Sequence, residues 1–242
     1  KHFARLNDIE YRSVLLDEEF QLNATELLKA CDKHTKLVWL CSPNTPIGNL
    51  LNVEEVEKVL KGFDGIVIID EAYADFTRLQ TFRERMSEFP NMIVLNTFSK
   101  AWASAAIRLG VVYAQEAIIS IFNKVSSPYH ISQLTQEQGL DALKHRYDIE
   151  DWIKILLLER KRMILAFESL ACCEKVYPTN ANFFLAKMKD AQSVYDYLCE
   201  KGIHVRECSN VSLCGNCLRI TIGSKAENAE ILGLLRCYKP TK

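Results

Sequence analysis

What this 242-residue sequence lacks narrows what it can do. Neither sign of charge is in excess. Its 30 Lys and Arg against 31 Asp and Glu leave a net charge of −1, so nothing suggests a nucleic acid or an anionic membrane as partner. No apolar run approaches the length of a membrane span, and no signal peptide opens the sequence. There is no internal repeat and no low-complexity segment, which leaves one large or two modest globular domains. A second cysteine pair is missing as well. Of nine cysteines, Cys214-Gly215-Asn216-Cys217 form the one CxxC, and adjacent Cys172-Cys173 with lone Cys208 do not complete a zinc set. A redox CxxC opens a helix after a strand, whereas this one precedes the pattern Leu218–Ile222. No metal is therefore expected, although a cysteine-based metal module around Cys208–Cys217 stands as an alternative that metal analysis would test. Cys41, Cys199 and Cys237 lie inside apolar patterns, where a reduced thiol acts as a small hydrophobe, and the expected compartment is a reducing cytoplasm.

What is present centres on Ile66–Gly110. Ile66-Val67-Ile68-Ile69 and Ile93-Val94-Leu95 are short β-branched runs that read as buried strands. The first ends in Asp70-Glu71-Ala72-Tyr73, the second in Asn96-Thr97-Phe98-Ser99-Lys100, and Arg108 follows. In a mostly parallel α/β sheet, ligands bind beyond the carboxyl ends of the strands. Asp70, Tyr73, Thr97, Ser99, Lys100 and Arg108 should therefore converge on one crevice.

Around this stretch, strand and helix patterns alternate. A loose strand over Ile9–Leu16 is followed by a short helix to Asp32, strand Leu37–Cys41, a Pro- and Asn-rich turn Ser42–Gly48, and helix Val53–Gly62. Beyond Tyr73 come polar Ala74–Pro90 with a helical pattern at Phe82–Phe89, strand Met92–Leu95, strand Gly110–Ala114, and helices over Glu116–Ser126 and Ile131–Leu143. Asp148–Leu170 is the longest helical pattern, long enough to tie two domains together. Strands Lys175–Tyr177 and Asn182–Lys187, helix Ala191–Lys201, strands Ile203–Arg206 and Cys217–Ile222, and helix Lys225–Tyr238 then make a compact α+β unit. The expected fold is thus α/β, a mostly parallel sheet flanked by helices, with a smaller α+β C-terminal domain. The expected boundaries are 1–147 for the large domain, 148–173 for a bridging helix and 174–242 for the small domain.

The chemistry at the crevice suits a phosphorylated aldehyde cofactor. Pyridoxal phosphate needs a lysine for its Schiff base, a carboxylate for its pyridine nitrogen, and an Arg fork with short hydroxyls for its phosphate. Four motifs, Ser42-Pro43-Asn44-Thr45-Pro46-Ile47-Gly48, Asp70-Glu71-Ala72-Tyr73, Thr97-Phe98-Ser99-Lys100-Ala101 with Arg108, and Leu218-Arg219-Ile220-Thr221-Ile222-Gly223, are spread along nearly the whole chain. In these the sequence resembles the fold-type I aminotransferases, and within them most closely the histidinol-phosphate aminotransferases.

The resemblance implies roles. Lys100 is the Schiff-base lysine, which also moves the substrate proton, and Asp70 pairs with the pyridinium nitrogen. Tyr73, with Asn44 and Thr45 in the turn, faces the cofactor's phenolic oxygen, while Thr97, Ser99 and Arg108 hold its phosphate. Arg219 takes a substrate carboxylate and Arg206 the phosphate of histidinol phosphate. Taken singly, each residue has a plainer reading: a surface lysine for Lys100, a cap or ion pair for Asp70, packing for Tyr73, an exposed charge for Arg206. Family members carry Asn where this chain has Thr45, so the hydroxyl there is a shorter donor. Roughly the first hundred residues of the family have no counterpart, and the chain opens on Lys1, so the large domain is expected to be N-terminally incomplete and part of a longer reading frame. The implied activity is transamination between histidinol phosphate and 2-oxoglutarate, with glutamate as the other amine, by ping-pong chemistry in histidine biosynthesis. The family precedent is a homodimer. The alternatives are another aminotransferase or an amino-acid phosphate decarboxylase of the same fold, or a truncated, non-catalytic fragment.

Overall fold

The computed structural model describes residues 1–79 and 81–239. Gln80, within the expected polar excursion, and residues 240–242, at the end of the expected small domain, lie outside that set. Two four-stranded sheets organise the described residues. In the first, β1 (Leu37–Cys41), β2 (Ile66–Asp70) and β3 (Met92–Thr97) run parallel, and β4 (Gly110–Ala114) returns antiparallel beside β3. Val67, Ile69, Met92 and Val94 of this sheet are fully buried. Their branched side chains meet Val56, Val59 and Leu60 of α3 (Val53–Gly62) in one apolar cluster. Burying each such side chain contributes about 1.5–3 kcal/mol. The helix starts where Asn52 accepts from the backbone N–H groups of Glu54 and Glu55, an N-cap that satisfies two orphan donors. α1 (His2–Leu6) buries no residue, and α2 (Ala24–Lys29), capped by Asn23, closes one flank of that cluster through Ala24.

Connecting this sheet to the second are α4 (Glu116–Val125), α5 (Gln133–Lys144) and the 23-residue α6 (Arg146–Glu168). The second sheet is antiparallel, in the order β5 (Cys173–Val176), β6 (Phe183–Met188), β8 (Cys217–Thr221), β7 (Arg206–Glu207). α6, α7 (Ala191–Glu200) and α8 (Lys225–Cys237) pack on it through Met163, Phe167, Val194, Leu198, Ile231 and Leu232. A reciprocal Ser224–Glu227 capping box begins α8.

Two strands expected from the pattern are not formed as expected. Ile9–Leu16 is irregular and mostly exposed, and Arg12 instead ties the segment down through ion pairs to Glu10 at 2.7 Å and Asp32 at 2.8 Å. A strand needs a neighbouring edge to take up its backbone groups, and none lies alongside. The second strand begins at Arg206 rather than Ile203. The N–H of Ile203 closes the end of α7 on Leu198 O at 2.9 Å, with Gly202 at φ +78°, so a C-cap takes the group that a ladder would have used. The helical pattern at Phe82–Phe89 is reduced to one tight turn at Phe82–Arg85.

One buried carboxyl lies at the root of the site. Glu71 is 2 % exposed, continues the β2 ladder by donating its N–H to Leu95 O, and accepts from Phe82 N–H at 2.6 Å. Its other oxygen has no partner among the described residues, and burial pushes its pKa up to about 7. Because the folded value is raised, the protonated form is favoured on folding, and stability falls as pH rises from about 4.5 to about 7. Glu71→Gln removes that proton and is expected to flatten the pH dependence of thermal stability across this window. An unchanged slope in melts from pH 4 to 8 would show that Glu71 does not carry it.

Candidate active site

The parallel register sets Cys41, Asp70 and Leu95 side by side, so the chain leaves β1, β2 and β3 at the same edge of the sheet. Off β1 comes the turn Ser42–Gly48. Asn44 accepts there from Thr45 N–H with Oδ1 and from Gly48 N–H with its carbonyl. Gly48 sits at φ +97°, where a Cβ would come within 2.1 Å of Thr179 Oγ1, so glycine is required by both conformation and space.

Asp70 ends β2 half-buried, its carboxylate accepts only from Ala72 N–H at 3.1 Å, and it has no ion-pair partner among the described residues. Burial raises its pKa. Its own burial, and after it the nearby Asp70 carboxylate, push the Cys41 thiol up to about 12, so it is not a nucleophile at neutral pH. Off β3 comes the Lys100 loop, closed by Phe98 N–H to Leu109 O, Ser104 N–H to Phe98 O and Ala103 N–H to Lys100 O. The Thr97 hydroxyl donates to Leu109 O and accepts from Ser99 N–H, so it shapes the loop from within. Arg108 closes the loop in the left-handed region at φ 54°, costly for a side-chain-bearing residue, and is exposed.

These pieces meet through aromatic rings. Lys100 Nζ lies 5.2 Å from the ring centroid of Tyr73. Tyr73, itself 8 % exposed, meets Phe183 of β6 edge-on at 5.0 Å. On Phe183 rests the guanidinium of Arg219, 4.8 Å from the ring centroid. Arg219 Nη1 then donates to Thr45 Oγ1 at 3.3 Å, back on the turn after β1. Lys100, Tyr73, Arg219 and Thr45 are thereby brought together across the two sheets. Arg206 pairs in register with Arg219 across the β7–β8 ladder and is exposed. Like charges directly opposite on a sheet are unfavourable. Neither arginine has an acidic partner among the described residues, and Arg219 Nε is buried without any partner.

The chain belongs to the class I and II aminotransferases. The model of that family, "Aminotransferase class I and II", matches residues 1–235. The chain is 50 % identical to a histidinol-phosphate aminotransferase of Bacteroides thetaiotaomicron over 236 residues, which is 98 % of this chain and 68 % of that protein. It superposes on the histidinol-phosphate aminotransferase of Clostridium acetobutylicum with a TM-score of 0.89 at 24 % identity, over 97 % of this chain and 72 % of the other. A similar match, TM-score 0.85 at 21 % identity over 97 % and 66 % of the two chains, is the Sinorhizobium meliloti histidinol-phosphate aminotransferase in complex with pyridoxal-5'-phosphate. The mostly parallel sheet with one antiparallel strand is thus that of the fold-type I aminotransferases.

Sequence reasoning missed Phe183, the ring shared by Tyr73 and Arg219. An apolar residue opening a strand gives no signal of such a role. The CxxC has a plain outcome. Cys208, Cys214 and Cys217 are fully buried with Phe20, Ile47 and Leu185, and burial pushes Cys214 up to about 11 and Cys217 to about 12. Among the described residues no group of three or more His, Cys, Asp or Glu is placed to hold a metal ion, and no helix is long and apolar enough to cross a membrane.

Proposed function

We propose that this aminotransferase uses pyridoxal phosphate to exchange amino groups between histidinol phosphate and 2-oxoglutarate, in histidine biosynthesis. The observation that carries the reading is the pair Arg206 and Arg219, opposed in register and without acidic partners among the described residues. Histidinol phosphate offers a phosphate and no carboxylate, whereas glutamate offers two carboxylates, so a site serving both half-reactions needs two anion forks. Arginine suits that task better than lysine, because its fork binds phosphate and carboxylate in a bidentate way. The identity to named relatives supports the same substrate.

The cofactor fits the donor set. An unpaired half-buried carboxylate, an ammonium, a phenol, hydroxyls and guanidiniums surround one edge of the sheet. Bound pyridoxal phosphate supplies an aldehyde carbon that joins amines and an electron-withdrawing ring. Asp70 would accept a hydrogen bond from the ring nitrogen and so favour its protonated form. Tyr73, Thr45 and Asn44 would hold the phenolic oxygen. The Thr45 hydroxyl accepts from Arg219, which leaves its own proton free to donate. Ser99 and Arg108, with the loop that Thr97 shapes, would hold the phosphate. Lys100 Nζ takes the proton from the substrate carbon bearing the amine and returns one as acid. Amine and 2-oxo acid react in turn at the same place, which is ping-pong order.

The remaining parts of the reading are a large domain over 1–147, a bridging helix over 148–173, a small domain over 174–242, a homodimer, and a reducing cytoplasm. Nine unpaired thiols suit that compartment. The test is Arg206→Leu. The Michaelis constant for histidinol phosphate is expected to rise about 10- to 100-fold, matching a lost charged hydrogen bond, while that for glutamate moves far less. Equal effects on both, or activity on histidinol itself as good as on its phosphate, would remove the phosphate assignment.

A further inference from the structure

Arg160, on α6, is a half-buried guanidinium without a carboxylate partner among the described residues. Its neighbour Glu159 is already engaged, accepting from Arg162 at 2.7 Å and from Asn228 Nδ2 at 3.2 Å. Arg160 spends its Nη1 on one carbonyl, that of Ala181, at 2.6 Å. Holding an unpaired cation half out of water is unfavourable unless what it grips matters.

What it grips is the turn Thr179–Phe183, which joins several parts of the site. Thr179 Oγ1 donates to Phe183 O at 2.6 Å and accepts from Ala181 N–H at 3.1 Å. Asn180 N–H donates to Gly48 O at 2.6 Å, in the turn that carries Thr45. Asn182 O accepts from Ile222 N–H, just past the end of β8, the strand that carries Arg219. Ala181 is fully buried, and Phe183 next to it packs perpendicular to the Tyr73 ring and lies under the Arg219 guanidinium. A ring that supports a cation sets where that cation rests.

We propose that Arg160 is a positioning residue for substrate-carboxylate binding, fixing the Thr179–Phe183 turn and, through Phe183, the guanidinium of Arg219. This rests on the assignment of Arg219 to the carboxylate. Arg160 touches no substrate. It sets the geometry of the residue that does, and an arginine fork only slightly misplaced loses its bidentate contact.

The experiment uses the holoenzyme and maleate as an unreactive dicarboxylate probe, with dissociation constants from calorimetry and thermal melts alongside. Arg160→Met is expected to weaken maleate about tenfold and to raise the Michaelis constant for glutamate by a similar factor, with kcat changed less. Arg160→Lys, which keeps the charge and one donor, folds the more readily and is expected to recover part of that loss. In the Arg219→Lys background, Arg160→Met should add little, because the fork it positions is gone. Loss of melting temperature with unchanged maleate affinity in both Arg160 variants would overturn the proposal, as would strict additivity with Arg219→Lys. If Arg219→Lys itself left maleate binding intact, the carboxylate assignment would fall and the Arg160 role with it. Failure at Arg160 alone leaves that assignment standing.

Discussion

Replacing Lys100 by alanine lowers turnover by about 10⁴-fold, at the upper end of what a positioned acid–base group supplies. The expectation follows from where the structure puts the amine. Lys100 is held on a loop stitched at Phe98, Ser104 and Leu109, and its Nζ lies over the Tyr73 ring, next to the Phe183–Arg219 stack. No carboxylate pairs with it among the described residues, so nothing competes for the amine. Its side chain is exposed, so Lys100→Ala should melt within a few degrees of the parent. Activity lost without stability lost is the signature sought. Small primary amines added to the variant should restore part of the rate, since the missing function is a proton carrier. Retention of a tenth or more of the parent turnover in single-turnover measurements would place the proton transfer on another residue.

How much of this was legible in the residues varies with the range of the cause. The strands β1, β2 and β3 were plain, because β-branched runs between polar breaks have few other uses in a buried sheet. α3 was plain in its bounds from its one-sided apolar stripe, but Gly62, expected as its cap, is the last helical residue with Phe63 as the C-cap, and the Asn52 N-cap emerges only in the fold. Ile9–Leu16 failed because loose alternation says nothing about whether an edge is available for pairing. Ile203–Val205 failed because a helix C-cap captured the backbone group. The site shows the same division. Asp70, Thr97 and Lys100 announce themselves as polar residues where apolar strands stop. The hydrogen bond from Arg219 to Thr45, 174 residues apart, and the shared ring of Phe183 exist only once the two sheets are in place. Glu71 and Arg160 are charged residues in ordinary-looking positions, and their roles rest on burial, which no local pattern reports.

Asp70→Asn carries the other large effect, and its value lies in a change of sign. Turnover is expected to fall about 10²- to 10³-fold, the range for removing one preorganised electrostatic stabiliser. Stability of the cofactor-free protein should rise instead. Asp70 is half-buried, its carboxylate accepts from Ala72 N–H alone among the described residues, and its pKa is raised by burial, so its ionised form is disfavoured by folding. A raised folded value means that stability is fully present below the ordinary carboxylate pKa and is lost as pH rises through the folded one. An uncharged amide of the same shape escapes that loss. The cofactor-free variant should therefore melt above the parent at pH 7, by about 2–4 °C for each kcal/mol relieved, and the advantage should shrink towards pH 4. Adding pyridoxal phosphate should invert the order, because a cationic ring nitrogen turns the buried carboxylate from a liability into a partner that asparagine cannot replace. Four melting curves decide it, parent and variant with and without cofactor. If the variant is less stable in both states, Asp70 is a structural carboxylate whose partner is within the chain, and the ring-nitrogen assignment fails. If it is more stable in both, the carboxylate is strained but the cofactor does not reach it.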